Sequence, residues 1–129
     1  MATVSFVLAG MAFEYDDEKN KTNIRKHGID FRSAARVFFD YDRIEAYDDT
    51  HSQEEERYNT IGDTSPSNSF WDSTIIGTPD NLSGINDILF VVYTDRVQRT
   101  FDGRKIDVTR IISARLATEF ERGMYYGKF

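Results

Sequence analysis

The sequence predicts an α+β domain: a small antiparallel sheet of about four strands, with two helices before it and one after it. Three observations lead there. Two capped, helix-like stretches lie between Asp16 and Phe38, four later segments read as strands, and a capping-box signature at Thr118–Glu121 starts a final helix. The 129 residues suit one domain, and ten Phe, seven Tyr and one Trp can fill its core without a disulfide or a metal staple.

Met1–Ala12 is mildly apolar and reads as an N-terminal extension, either an added strand or a loose lead-in. It has no Lys or Arg ahead of its apolar run and is too short to span a bilayer, which argues against a signal peptide and against a membrane anchor. Phe13–Tyr15 reads as a short strand. Asp16 then caps a helix whose first turn, Asp17 and Glu18, complements the helix dipole; the helix runs to His27 and stops at Gly28. Asp30 caps a second helix with Phe31, Ala34, Ala35 and Phe38 on one apolar stripe. Arg43–Asp48 and Glu56–Ile61 alternate as two strands joined by a polar loop. Residues 63–87 are rich in Ser, Asn, Asp, Gly and Pro and read as an insertion in the single domain 1–129. Ile88–Thr94 is a nearly continuous apolar run, and Ile106–Ser113 is a strand with Ile106, Val108, Arg110 and Ile112 on one face. The turn signal Phe101-Asp102-Gly103-Arg104 lies between them.

No cysteine is present, which removes disulfides, thiolate nucleophiles and sulfur-ligated zinc and fits a reducing, cytoplasmic location. The net charge is -6, yet it is unevenly placed. Lys19–Arg43 holds seven basic residues against three acidic ones, Ile44–Thr64 one against seven, and Asp95–Phe129 eight against five. Two basic stretches flank an acidic one, so a local basic face for nucleic acid is compatible with an acidic chain, as is an ordinary mixed surface.

The two histidines can each move a proton near neutral pH. His27 stands at a helix end, where the dipole favours its charged form, and serves either as a proton-transfer group or simply as part of the cap. His51 lies in the loop between two strands, a position open to function or to none. Asp48, Asp49, Glu55 and Glu56 could join the histidines around a metal, but the H-E-x-x-H spacing is absent. Nucleophile elbows and phosphate-binding glycine loops are absent too. Arg57, Arg110 and Arg115 carry the guanidinium forks that suit phosphate oxygens, although each alone also fits a surface ion pair.

A family resemblance gathers these residues. Phe13-Glu14-Tyr15-Asp16, Lys19, Asn23, Lys26-His27-Gly28-Ile29, Phe31 and Ala34-Ala35 resemble the opening of the BrnT toxins. The likeness continues through Asp48, His51-Ser52, Glu55-Glu56-Arg57, Ile61-Gly62, Val92-Tyr93-Thr94, Arg110–Arg115, Ala117-Thr118, Glu121-Arg122 and Tyr125. It implies a compact RelE-like fold and a type II toxin that cleaves RNA and inhibits translation. The implied partners are RNA, including mRNA on the ribosome, and a BrnA-like ribbon-helix-helix antitoxin, with a homodimer or a heterotetramer as the assembly. The implied site is metal-independent and free of cofactors. Lys26, His27 and His51 would transfer or position protons, Arg57 and Arg115 would clamp phosphate, and Glu56 and Tyr125 would support them. The alternative is a toxin-fold module that binds an antitoxin or RNA without cleaving. The insertion and the negative net charge depart from the family pattern.

Overall fold

The computed structural model describes residues 2–49, 55–64 and 87–127. Its elements run β1 (Thr3–Leu8), β2 (Met11–Asp16), α1 (Asp17–His27), α2 (Phe31–Ala34), a 3-10 turn (Ala35–Phe39), β3 (Ile44–Tyr47), β4 (Tyr58–Asp63), β5 (Ile88–Arg99), β6 (Lys105–Leu116) and α3 (Glu119–Tyr126). The class is α+β, as expected.

The sheet is larger than the expected four strands: among the described residues it has six, in the order β1-β2-β6-β5-β4-β3. It is also mixed, because β2 and β6 run parallel while every other neighbouring pair is antiparallel. The expected strand at Phe13–Tyr15 is the second arm of an N-terminal hairpin whose first arm lies in the N-terminal extension. Ala9 and Gly10 both take positive φ, 50° and 83°, which is the backbone of a type I′ turn whose twist matches its strands. Thr3, Ser5 and Val7 of β1 face outward while Phe6 stacks on its cross-strand partner Phe13 at 5.2 Å.

The first helix ends at His27 as the sequence implies, and the second is shorter than expected. The second one makes a single α-helical turn and tightens into the 3-10 segment, yet Phe31, Ala34, Ala35 and Phe38 are all buried as the stripe requires. They pack on one face of the sheet, where Phe38 meets Phe13 and Tyr93 at 5.6 and 4.8 Å and Phe31 meets Tyr15 at 5.6 Å. Each such fully buried side chain contributes about 1.5–3 kcal/mol. Gly62 lets the 3-10 segment approach β4, since a Cβ there would sit 2.9 Å from the Cβ of Val37.

Helix α1 is attached differently. Its buried residues are Asn20 and Asn23 rather than an apolar stripe. Asn20 Oδ1 accepts from the Phe31 N–H at 2.9 Å. Asn23 Nδ2 donates to the carbonyls of Ile29 and Ala114 at 3.0 and 2.8 Å, and its Oδ1 accepts from the Ala114 N–H at 3.1 Å. One amide therefore takes the place of a strand at the edge of β6 that β2 leaves open. Asp16 caps the start by accepting from Lys19 N–H, and Gly28 ends the helix at φ 72°.

Strands β5 and β6 run well past their expected limits, pairing as far as Arg99 with Lys105, with Gly103 in the turn at φ 86°. A bulge at Val92/Tyr93 opposite Ile111–Ser113 shifts the facing of β6, so Ile111 and Ala114 both reach the core. Of the insertion 63–87 only the ends are among the described residues: Thr64 N–H and its hydroxyl both bond the Asp87 carbonyl, at 3.1 and 3.0 Å. Among the described residues no helix is long and apolar enough to cross a membrane.

Candidate functional site

The polar attachment of α1 leaves a groove of about 390 Å³ between that helix and the edge of β6. Lys19, Thr22, Asn23 and Lys26 follow the i, i+3, i+4, i+7 spacing of one helix face, and all four line the groove together with His27, Asp16 and Glu18. Ile112 and Ser113 of β6 form the opposite wall. Lys26 and His27 are exposed and occupy the last turn of α1. The groove thus offers two ammonium groups, an imidazole and hydroxyls to one ligand, with carboxylates at its N-terminal end.

The other sequence-derived candidates are distributed around the sheet. Arg115 lies on β6, two residues beyond Ser113, and is engaged by α3. Its NH1 and NH2 donate to the two carboxylate oxygens of Glu121 at 2.7 and 2.9 Å, and its guanidinium sits 4.2 Å from the centroid of Phe90. The Glu121 side chain also accepts from the Thr118 N–H, completing the capping box read from the sequence. The bond from Arg115 holds the Glu121 carboxyl below its ordinary pKa of 4.5, against the opposing effect of burial. Its contribution to stability is present above that range and is lost as pH falls through the lowered folded value. Thermal melts from pH 6 downward are expected to show Glu121→Gln losing less stability than the wild type; parallel curves would contradict this.

Tyr125 donates to Asp40, and burial together with that carboxylate pushes the phenol up from 10.0. Glu56 accepts from the Tyr58 hydroxyl at 3.4 Å, and its backbone carbonyl accepts from Thr94 Oγ1 at 2.6 Å. Arg57 precedes β4, and its carbonyl accepts from the Asp48 N–H. His51 lies outside the described residues. The described candidates therefore bring Lys26 and His27 into one groove, while Arg115 pairs with α3, Tyr125 reaches from α3 to Asp40, and Glu56 and Arg57 stand where β4 begins.

Two groupings of polar residues went unread in the sequence. Lys19 and Thr22 belong to the groove, and the seven-residue spacing of Lys19 and Lys26 is the signal that points to them. The second group is on the face of the sheet opposite the helices. There Glu14 of β2, only 3% exposed, accepts from Arg110 NH1 of β6 at 2.6 Å and from Gln98 of β5, with Arg96 at 3.9 Å. Arg96 also pairs with Glu55 at 3.0 Å, which ties the segment before β4 to β5. Among the described residues no three His, Cys, Asp or Glu side chains are grouped to hold a metal ion.

Residues 15–71, under half of the chain, match the family model described as ribonuclease toxin, BrnT, of type II toxin-antitoxin system. This segment is similar to the BrnT toxins. It takes in α1 with its Lys26 and His27, both short helical turns and β3 and β4. At the level of that family the activity is ribonuclease and the system includes an antitoxin. No curated protein matches the chain.

Proposed function

We propose that this BrnT-like chain is a metal-independent endoribonuclease whose cleavage of RNA inhibits translation, held in check in the cytoplasm by a BrnA-like ribbon-helix-helix antitoxin. The observation that supports it best is the meeting of Lys26, His27 and Lys19 in one groove beside the polar edge of β6. Cleavage of RNA through its own ribose needs few parts. A base removes the 2′-hydroxyl proton, the 2′-oxygen attacks phosphorus, and the P–O5′ bond breaks as an acid protonates the departing 5′-oxygen. A 2′,3′-cyclic phosphate and a 5′-hydroxyl result. In this reading His27 carries the proton, with His51 as its candidate counterpart. Lys26 and Lys19 stabilise charge that builds on the phosphoryl oxygens.

Arg115 takes a phosphate role only if Glu121 releases it, since a guanidinium fork serves one bidentate partner at a time. Arg57 is assigned a phosphate-clamping role, and Glu56 and Tyr125 support of the site. The acidic stretch Asp48–Glu56 suits a basic surface on the antitoxin. The test is incubation of the purified chain with single-stranded RNA, with and without EDTA, beside expression of the chain alone in growing cells. Cleavage that persists in EDTA together with growth arrest is the expected result. Cleavage abolished by EDTA overturns metal independence, and antitoxin binding with no RNA product points to the binding-module alternative.

A further inference from the structure

We propose that Arg110 and Arg96, held by buried Glu14 on the face of the sheet turned away from Phe13 and Tyr15, form a second subsite that grips the RNA backbone beside the α1 groove. The inference rests on the ribonuclease reading above.

The fold alone gives little reason for this cluster. A buried carboxylate is costly to desolvate, and an apolar pair across β2 and β6 would serve packing as well or better. Instead one carboxylate, its side chain 4% exposed, organises two guanidinium groups that converge from different strands. Gln98 fixes one Glu14 oxygen and Arg110 the other, while Arg110 NH1 also reaches Thr3 Oγ1 at 3.5 Å. Glu14, Arg96 and Arg110 together carry one net positive charge. The Arg110 side chain is 18% exposed and that of Arg96 44%, so Arg96 is the more accessible of the two. Among the described residues Glu55 is the remaining acidic partner, and its pair with Arg96 is half-exposed, the kind of ion pair that contributes little and yields readily to a phosphate.

The patch also lies close to the groove. Arg110 precedes the groove residue Ile112 by two positions on β6, about 7 Å along a strand. Thr3, which touches Arg110, is the cross-strand partner of the groove residue Asp16. Patch and groove therefore adjoin, and an RNA strand lying in the groove can place another of its phosphates on the two arginines. Planar, permanently charged guanidinium groups are suited to that role and leave base identity unread.

The test measures binding of a single-stranded RNA oligonucleotide with 2′-O-methyl riboses, which cannot be cleaved, by fluorescence anisotropy at several salt concentrations. The proteins are the wild type, Arg96→Gln and the double variant Glu14→Gln/Arg110→Gln. The double variant keeps the net charge and leaves a neutral hydrogen-bonding pair, so any change reports the site and not overall charge. Each variant is expected to lower the slope of log affinity against log salt by about 0.7 for each phosphate it no longer neutralises. Cleavage of long RNA should slow several-fold, while cleavage of a fragment just long enough to fill the groove stays at the wild-type rate. Arg96→Gln, at a half-exposed position, carries the test if the double variant is poorly folded. A wild type that cleaves RNA alongside an Arg96→Gln variant with its slope unchanged overturns the subsite alone. A wild type that neither binds nor cleaves overturns the ribonuclease reading and the subsite with it.

Discussion

Alanine at both Lys26 and His27 is expected to lower RNA cleavage by about 10²–10⁴-fold, the range contributed by a positioned proton-transfer group, while the melting temperature hardly moves. The two halves of that expectation have different origins. Both side chains are exposed at the end of α1 and neither is buried in the core, so their loss removes no packing. The helix end itself is secured by Gly28 and its N–H bond to the Ile24 carbonyl at 2.8 Å, which the substitutions leave intact. The loss of rate follows from what the groove then lacks. His27→Ala removes the group assigned to proton transfer, and Lys26→Ala removes a charge next to the developing phosphorane. The two act on one transition state, so their separate effects should sum to more than the double variant loses. Single-turnover cleavage of a defined RNA, set beside thermal melts, reads both quantities. A double variant that cleaves at the wild-type rate removes the groove from the reaction.

How far the sequence anticipates this molecule depends on the range of each signal. Local signals were readable: Asp16 as a cap, Gly28 as a stop, the Phe31–Phe38 stripe, the turn before Arg104 and the capping box of α3 all depend on residues a few positions apart. The turn that joins the first two strands was not, because Ala9-Gly10 adopts a type I′ turn without the Asn or Asp that usually announces one. The parallel pairing of β2 with β6 joins residues almost a hundred positions apart, and no local pattern encodes it. The outer halves of β5 and β6 extend beyond the helices and are exposed through Asp95–Arg99, so the alternation that marks a half-buried strand is missing there.

The same distinction divides the site. Lys26 and His27 are consecutive and were readable together, whereas Glu14 and Arg110 become partners only through sheet register. Arg115 shows the opposite difficulty: as a residue type it suits phosphate, yet its nearest carboxylate is six positions away on the next helix and occupies its fork. Residue type suggests a chemistry, and the register of the sheet decides which partner receives it.

Asn23 should be the position whose loss most weakens the fold. Its side chain, 6% exposed, satisfies three backbone groups, the Ile29 carbonyl and both the N–H and the carbonyl of Ala114. Removing it leaves those groups buried without partners, at about 1–3 kcal/mol for each one that water cannot reach. Asn23→Ala is thus expected to cost about 3 kcal/mol or more, lowering the melting temperature by about 10 °C for a domain of this size. Asn23→Leu separates the causes. It restores the lost volume but none of the bonds, so it should melt as early as the alanine variant, whereas a simple cavity would be repaired by it. Asn23→Asp keeps the acceptor and sets an oxygen against each of the two carbonyls that the amide donates to, and should also be unstable at neutral pH. Because α1 has no apolar stripe to hold it, loosening this amide frees the helix that carries Lys19, Lys26 and His27. RNA cleavage by Asn23→Ala should therefore fall even at temperatures where the protein remains folded. A leucine variant with wild-type melting and cleavage would show that burial alone, rather than the amide, fixes α1 to the sheet.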